Sequence, residues 1–202
     1  INPHFLYNTL DSIIWMIQSK KYEGAGKMVS MLAKFFRISL SQGKDIIPLQ
    51  KELEHAVSYL SIQNVRFQDK FTFTVDWDEK LADCLCPKLV IQPLLENAVY
   101  HGMEGMYEDG EIQLKIYAVN ELVHIDVIDN GEGMTEAQVQ KMMQGDVVSS
   151  KRGSGIGVKN VNDRIKLYFG EAYGVQIISA PDEGTTARIY FPMRRQEDET
   201  EK

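Results

Sequence analysis

The sequence predicts an α+β fold in which a helical segment precedes an α/β sandwich with a mixed sheet and helices on one face. Two observations predict it. Apolar residues recur at helical spacing in the first third of the 202 residues, and from residue 71 onward they alternate with polar residues in five short segments. Further helical patterns lie near 88–101, 135–143 and 157–169. We therefore expect a helical domain at 1–68, an α/β domain at 69–193 and a charged tail at 194–202.

Three helices are predicted in the first domain, at residues 2–20, 25–40 and 49–67. Gly24 and Gly26 are expected to form the turn after the first helix, and Pro48 to begin the third. The segment SQGKDIIP interrupts the helical pattern between the second and third helices, and it is a candidate hinge.

The first and third predicted helices each have an apolar stripe typical of a helical bundle. In the first helix the stripe consists of Leu6, Leu10, Ile13 and Ile17. In the third it consists of Leu49, Leu53, Ala56, Leu60 and Phe67. Because such helices expose more apolar surface than one copy buries, the pattern predicts a homodimer with a four-helix bundle, unless the second domain covers the stripes.

In the second domain, five segments alternate apolar and polar residues as strands with one buried face do. They are FTFTVDW, EIQLKIY, VHIDVID, YGVQIIS and TTARIYF. The final residues, RRQEDETEK, are charged and lack an apolar period, which predicts a disordered tail.

Composition limits the classes of function. A net charge of −7, with 44% hydrophobic and 25% charged residues, describes an ordinary globular protein and argues against a nucleic-acid partner. No apolar run approaches the roughly 20 residues that span a membrane. Cys84 and Cys86 are too close for an unstrained disulfide, so they fit a reducing compartment. The chain begins at Ile1 within a helical motif, which predicts a fragment of a longer protein.

Asn97 lies in the segment PKLVIQPLLENAVYHG, whose apolar residues fall at helical spacing from Leu89 to Val99, so its side chain can sit on one edge of an otherwise buried helix. Its amide oxygen can bind Mg²⁺ without adding charge, because Mg²⁺ prefers oxygen ligands and shares its shell with waters and substrate phosphates. Taken alone, an ordinary helix residue is the simpler interpretation.

Asp129 stands at the end of a predicted strand and begins the segment DNGEGM. A carboxylate partly withdrawn from water there can accept a hydrogen bond from the exocyclic amine of adenine, while Gly131 and Gly133 let the backbone approach the base. Guanine offers a carbonyl at that position and is disfavoured. By itself, the same pattern is also typical of a turn.

Glycines recur in the segment GSGIG, at Gly153, Gly155 and Gly157, directly before a helical pattern. Such a loop can direct backbone N–H groups at phosphates. The chain has no GxxxxGK[ST] motif, and the residues before Gly153 do not predict the strand that a Rossmann turn requires. Lys159 and other nearby basic residues suit a polyanion, although a solvated basic surface explains them equally well.

Together, the three segments resemble the Bergerat-type nucleotide site of the GHKL superfamily, which includes gyrase, heat-shock chaperones, mismatch-repair ATPases and histidine kinases. The resemblance implies ATP and Mg²⁺ as cofactors, Asn97 as the metal ligand and Asp129 as the adenine-binding residue. It implies further nucleotide contacts from His101, Gly131, Gly133, Gly153, Ser154, Gly155, Ile156, Gly157 and Thr185. Residues 153–157 would form the phosphate-side end of a mobile lid.

The first helix also presents a polar row, with His4, Asn8 and Asp11 on one side. A neutral imidazole is nucleophilic near physiological pH, and Asp11 could orient or deprotonate it where geometry permits. Without a nucleotide site, a solvated surface histidine is the simpler interpretation.

The segment INPHFLYNTLDSIIWMIQ resembles the phosphoacceptor box of LytS/YesM-type sensor histidine kinases. The two resemblances together cover nearly all of residues 1–193. They imply that His4 takes a phosphoryl group from ATP and passes it to an aspartate of a response regulator receiver domain. They also imply a homodimer in the cytoplasm, joined to the membrane only through a sensor part that precedes this chain.

Several positions depart from the wider kinase pattern or remain open. Phe5 follows the histidine where many kinases carry an acid, and Tyr100 stands where many carry a phosphate-binding lysine. Asn8 matches an amide that positions water for dephosphorylating the partner in some subfamilies. These departures leave open a regulatory ATP-binding module without phosphotransfer. A gyrase-type conformational ATPase is the other alternative, but Pro93 stands where those enzymes carry their water-activating glutamate.

Overall fold

The computed structural model of the chain describes residues 3–40, 43–67, 70–102, 109–146 and 154–195. Within these ranges the helices are α1 (Pro3–Gln18), α2 (Tyr22–Leu40), α3 (Leu49–Arg66), α4 (Ile91–Asn97), α5 (Glu136–Gln144) and α6 (Ser154–Phe169). The strands are β1 (Ile46–Pro48), β2 (Phe71–Trp77), β3 (Leu85–Pro87), β4 (Gly110–Val119), β5 (Leu122–Asp129), β6 (Gly174–Ser179) and β7 (Thr185–Pro192). The predicted α+β class is confirmed.

The turn between the first two helices lies earlier than predicted. Lys20 has a positive φ of 60° there, and Gly24 and Gly26 lie inside α2. Glycine costs only about 1 kcal/mol inside a helix. Burial of Ala25 and Met28 in the same turns offsets that cost. The prediction of a glycine turn was therefore wrong.

The buried side of α1 consists of Phe5, Thr9 and Ile13, and so differs from the predicted stripe. Phe5 lies between the rings of Phe35 and Tyr59, at centroid distances of 5.0 and 5.3 Å. This aromatic contact turns the helix so that Leu10 and Ile17, both assigned to the stripe, stay exposed. In α3, by contrast, the predicted stripe is buried except at its last member, Phe67, which is half-buried.

The predicted break before the third helix contains a strand that sequence patterns did not show. β1 pairs with β3 in an antiparallel two-stranded sheet, and Pro48 both ends this strand and is the N-cap residue directly before Leu49, where α3 starts. Three residues are too few for an alternating pattern to be visible. The pairing joins the start of α3 to the segment that leads into α4.

All five predicted strands of the second domain form one mixed sheet, in the order β2-β4-β5-β7-β6. β2 and β4 are parallel, and the other neighbours are antiparallel. Buried apolar residues line the face that α4, α5 and α6 cover. The opposite face carries polar side chains, including the ion pair of Asp126 with Arg188 at 2.7 Å.

Candidate functional site

Asp129 occupies an inward position of β5, where the alternation has placed Val123, Ile125 and Val127 before it. Its register partner on β7 is Thr185, whose backbone N–H donates to the carboxylate, and the N–H of Gly131 donates from 3.0 Å. The side chain is 8% exposed. Burial raises the pKa of Asp129 to about 6, and the two backbone hydrogen bonds act in the opposite direction.

Two glycines next to Asp129 have close backbone neighbours. Gly133 has φ of +68°, and a Cβ there would overlap the carbonyl of Ala180. Gly184 has φ of +77°, and a Cβ there would overlap the carbonyl of Asp129. The glycines therefore let the turn after β5 pack against the turn between β6 and β7. This packing accounts for Gly133 independently of any ligand.

A cavity opens at this end of the sheet and contains four of the predicted site residues: Asn97, Asp129, Gly133 and Thr185. Its volume is about 60 Å³. Since one water needs about 10–15 Å³ on this measure, the cavity accepts a few waters or one edge of a planar base. Its remaining walls are apolar, from Leu94, Ala98, Val127, Met134, Met142, Ile177 and Ala187. The methionines and Ile177 were not predicted, because their approach depends on tertiary packing.

Asn97 is the last residue of α4, and a five-residue π-helix, Ala98–Gly102, follows it. Tyr100 in this π-helix points toward α3, where its hydroxyl accepts from Nε2 of Gln63 at 3.1 Å. It packs edge-on against Phe67. Tyr100 therefore serves the contact with α3. The side chain of His101 lies outside what the structure describes.

The glycine-rich segment is more helical than expected. α6 begins at Ser154, so Gly155, Ile156 and Gly157 belong to its first turn, and the expected helix start near 157 was late. A Cβ on Gly157 would touch Pro93 of α4 at 3.3 Å. Gly153 and the side chain of Ser154 lie outside the described part of the chain.

Two basic residues of α6 have intramolecular partners in the structure. Lys159 pairs with Asp163 at 2.7 Å, and Arg164 donates to the carbonyl of Lys88 at 2.7 Å. Both side chains are exposed at the surface. To contact a phosphate directly, either side chain would have to give up its intramolecular bond.

A buried carboxylate that sequence analysis missed binds the start of α4. Glu52 of α3 is 0% exposed and accepts from the N–H groups of Leu89, Val90 and Ile91 at 2.8, 2.8 and 2.9 Å. Burial raises its pKa, and the backbone donors and the positive charge of Arg164 oppose that rise. Glu52 therefore connects α3 to the helix that carries Asn97. An acidic residue between apolar positions of an amphipathic helix was the available sign.

Glu96, next to Asn97, faces α3 instead of the cavity. Its carboxylate accepts from Nε2 of Gln92 at 2.8 Å, and its charge helps to raise the pKa of Tyr59. Burial raises the pKa of Glu96 itself. The orientation does not suit a base that activates water beside Asn97.

His4 is exposed near the start of α1, and the structure brings Asn8 next to it. Nδ2 of Asn8 lies 2.8 Å from Nδ1 of His4. Asp11 is also exposed but stands seven residues on, a helix rise of about 10 Å. Phe5 is 1% exposed, so this position faces the core.

The described residues contain no group of three or more His, Cys, Asp or Glu side chains arranged for a metal ion. A magnesium ion held by one amide oxygen and by phosphates does not need such a group.

None of the described helices is long and apolar enough to cross a membrane. The side chains of Cys84 and Cys86 are both buried.

Two family models match the chain. The model described as histidine kinase matches residues 1–71, and the model described as histidine kinase-, DNA gyrase B-, and HSP90-like ATPase matches residues 83–195. Sensor histidine kinase YesM of Bacillus subtilis is 39% identical over 97% of this chain, and sensor protein LytS of Bacillus anthracis is 32% identical over 98%. The chain spans about a third of the length of these relatives, 32% and 34%.

Solved structures agree on the fold. The histidine kinase domain from the Erythrobacter litoralis EL346 blue-light activated histidine kinase matches with a TM-score of 0.56 at 17% identity, over 88% of this chain and 83% of that one. Acinetobacter baumannii histidine kinase AdeS matches with a TM-score of 0.54 at 15% identity, over 94% of both chains.

Proposed function

Because the chain belongs to the histidine kinase-, DNA gyrase B-, and HSP90-like ATPase family, as a histidine kinase core of the LytS/YesM type, we propose that it phosphorylates its own His4 from Mg-ATP. The phosphoryl group then passes to an aspartate of a response regulator receiver domain. The named relatives are a sensor histidine kinase and a sensor protein, and they are the support for this partner.

The observation that carries the proposal is the cavity that Asn97, Asp129 and Thr185 line together. Asp129 presents a buried acceptor at the end of a strand, which suits the exocyclic amine of adenine. Met134 and Met142 supply apolar contacts for the faces of a base. These features fit a nucleotide with an adenine base.

The residues for the phosphates follow from the family resemblance and the position of α6. The first N–H groups of a helix have no partner within it, so the turn at 154–157 suits an anion. Asn97 would hold Mg²⁺ through its amide oxygen, and the metal would neutralise phosphate charge when bound. His101, Gly131 and Gly153 keep the nucleotide-binding roles predicted for them.

His4 stands on α1 and is not among the residues that line the cavity, so transfer requires a nucleotide and an imidazole to meet. Exposure of His4 on a helix surface permits this meeting within one chain or between two. Catalysis then depends mainly on positioning and on neutralisation of charge.

We place the helical domain at 1–68 and the ATP-binding domain at 69–193. We also infer a homodimer, and use of ATP would place both domains in the cytoplasm.

The test is incubation with γ-labelled Mg-ATP, beside His4→Gln, followed by acid and base treatment. We expect label that is acid-labile, base-stable and absent from the variant. A separate assay measures nucleotide binding by both proteins, which we expect to be equal because His4 is not among the residues that line the cavity. Binding without labelling would favour a regulatory module instead.

A further inference from the structure

Three polar side chains form a row across the end of the main sheet, next to the cavity. Asp129 of β5 is the register partner of Thr185 on β7, and Thr185 is the register partner of Ser179 on β6. Residues directly opposite each other on neighbouring strands point to the same face of a sheet. Asp129 and Thr185 line the cavity, whereas Ser179 is not among its lining residues. Ser179 therefore lies behind Thr185 as seen from Asp129.

The hydroxyl of Ser179 has three partners in the structure. It accepts from the backbone N–H of Met134 at 2.9 Å and donates to the carbonyl of Gly184 at 2.8 Å. Its oxygen also lies 2.9 Å from Oγ1 of Thr185. A hydroxyl has one proton and two lone pairs, and a carbonyl oxygen only accepts. The Ser179 proton is therefore used by Gly184, and the hydroxyl of Thr185 is the donor in the third bond.

This arrangement fixes what Thr185 can offer to a ligand. Its hydroxyl has donated its one proton to Ser179, so the oxygen can only accept from a group in the cavity. The ionised carboxylate of Asp129 also only accepts, and it already uses the backbone N–H groups of Gly131 and Thr185. An amine of a base can donate to these side chains, whereas a carbonyl at the same position would place its oxygen against acceptors.

We propose that Ser179 is a positioning residue for base selection, which keeps the hydroxyl of Thr185 an acceptor and so makes the cavity prefer a base with an amine to one with a carbonyl in its place. The proposal rests on the proposed function and deepens it at the nucleotide site. Ser179 acts through Thr185, because it does not line the cavity itself. Its bonds to Met134 and Gly184 hold the two turns beside the cavity, and this effect is the same for every base.

The test compares the dissociation constants of Mg-ATP and Mg-inosine triphosphate, measured by calorimetry at pH 7.5. Inosine triphosphate has the sugar and phosphates of ATP but a carbonyl in place of the amine. We expect the wild type to prefer ATP, and Ser179→Ala to lower that preference about fivefold, because the released hydroxyl of Thr185 can turn its proton toward the carbonyl. A general loosening of the site weakens both nucleotides alike and leaves their ratio unchanged.

Two further variants separate this role from a purely structural one. Thr186→Val removes a hydroxyl from the next residue of β7, on the opposite face, and should keep the wild-type ratio. Thr185→Val removes the group through which Ser179 acts, so adding Ser179→Ala to it should change the ratio no further. A further change in that double variant, an unchanged ratio in Ser179→Ala, or equal binding of both nucleotides by the wild type would overturn the proposal.

Failure of the proposed function gives different results. A wild type that binds neither nucleotide would overturn the nucleotide site and the proposal together. A wild type that prefers ATP, with a lower preference in Ser179→Ala but no acid-labile label on His4, would support base selection by Ser179 and overturn only the phosphorylation of His4.

Discussion

Among single residues, Asp129 has the most direct consequence for ligand binding. It is a carboxyl group at a position where its strand otherwise buries apolar side chains, and burial raises its pKa to about 6. The exocyclic amine of adenine can donate a strong hydrogen bond only to the ionised carboxylate of Asp129. In the proposed nucleotide site, binding of the base and ionisation of Asp129 are therefore linked.

We predict that ATP affinity falls as the pH falls through about 6, because the pKa of Asp129 in the free protein lies near that value. Below it, affinity should fall by about tenfold per pH unit. Calorimetric titration with Mg-ATP between pH 7.5 and 5 measures this. Asp129→Asn should bind weakly and lack this pH dependence while keeping its fold. An affinity that stays constant in the wild type across the range would contradict the adenine assignment.

How well the sequence predicted individual residues depended on whether the cause was local. The alternation in β5 placed Asp129 on the buried face, and the helical run placed Asn97 on a helix, although α4 ends at Asn97, earlier than predicted. The reason for Gly133 was not visible, because the carbonyl it avoids belongs to Ala180, 47 residues along the chain. Glu52 was missed for the same reason, since its three donors lie on another element.

Among the elements, α4 depends most on a neighbour. It has seven residues, which is too short for a helix to be stable alone, and its start receives a carboxylate from α3. The negative charge of Glu52 also interacts favourably with the positive end of the helix dipole. The position of Asn97 at the other end is therefore tied to α3.

We predict that Glu52→Ala lowers the free energy of unfolding by about 3 kcal/mol, because three buried N–H groups lose their acceptor. Glu52→Gln keeps one carbonyl oxygen and should cost about half as much. Urea unfolding measures both changes, and ATP affinity should fall in parallel as α4 loosens. Glu54→Gln is the control, since Glu54 pairs with two partly exposed lysines. Equal stabilities for the Glu52 and Glu54 variants would show that the contact does not hold α4.

Elements with several turns or alternations were predicted well, and short ones were not. The long helices and the five strands of the main sheet have enough residues for a period to be recognised. β1 and β3 have three residues each, and they form because each supplies the other's hydrogen bonds. The π-helix after α4 likewise has no pattern of its own.

At the scale of the whole molecule, the main feature is that the exposed side of α1 presents large apolar side chains to solvent. Leu10, Ile14 and Ile17 are 42%, 51% and 48% exposed and repeat at spacings of four and three. On α2, Val29 and Leu40 are 51% and 67% exposed. Large apolar groups in such a row are typical of a helix that packs against another copy.

We predict that Ile14→Asp shifts the protein from dimer to monomer, because a charge would be buried in the paired helices. Sedimentation velocity at several concentrations measures the change. Ser30→Asp adds the same charge at another exposed helical position and should leave the dimer intact. A wild-type chain that stays monomeric at high concentration would show that this face has another partner.

The apolar core extends without interruption from Phe5 on α1 to Phe191 on β7. A chain built around one such core tends to unfold as a unit, so a ligand of either end stabilises both. Each tenfold rise in nucleotide above its dissociation constant would add about 1.4 kcal/mol to the stability of the helix that carries His4. In a cell short of ATP, the helix that carries His4 would therefore be open to proteases more often, and energy status would influence how long the protein survives.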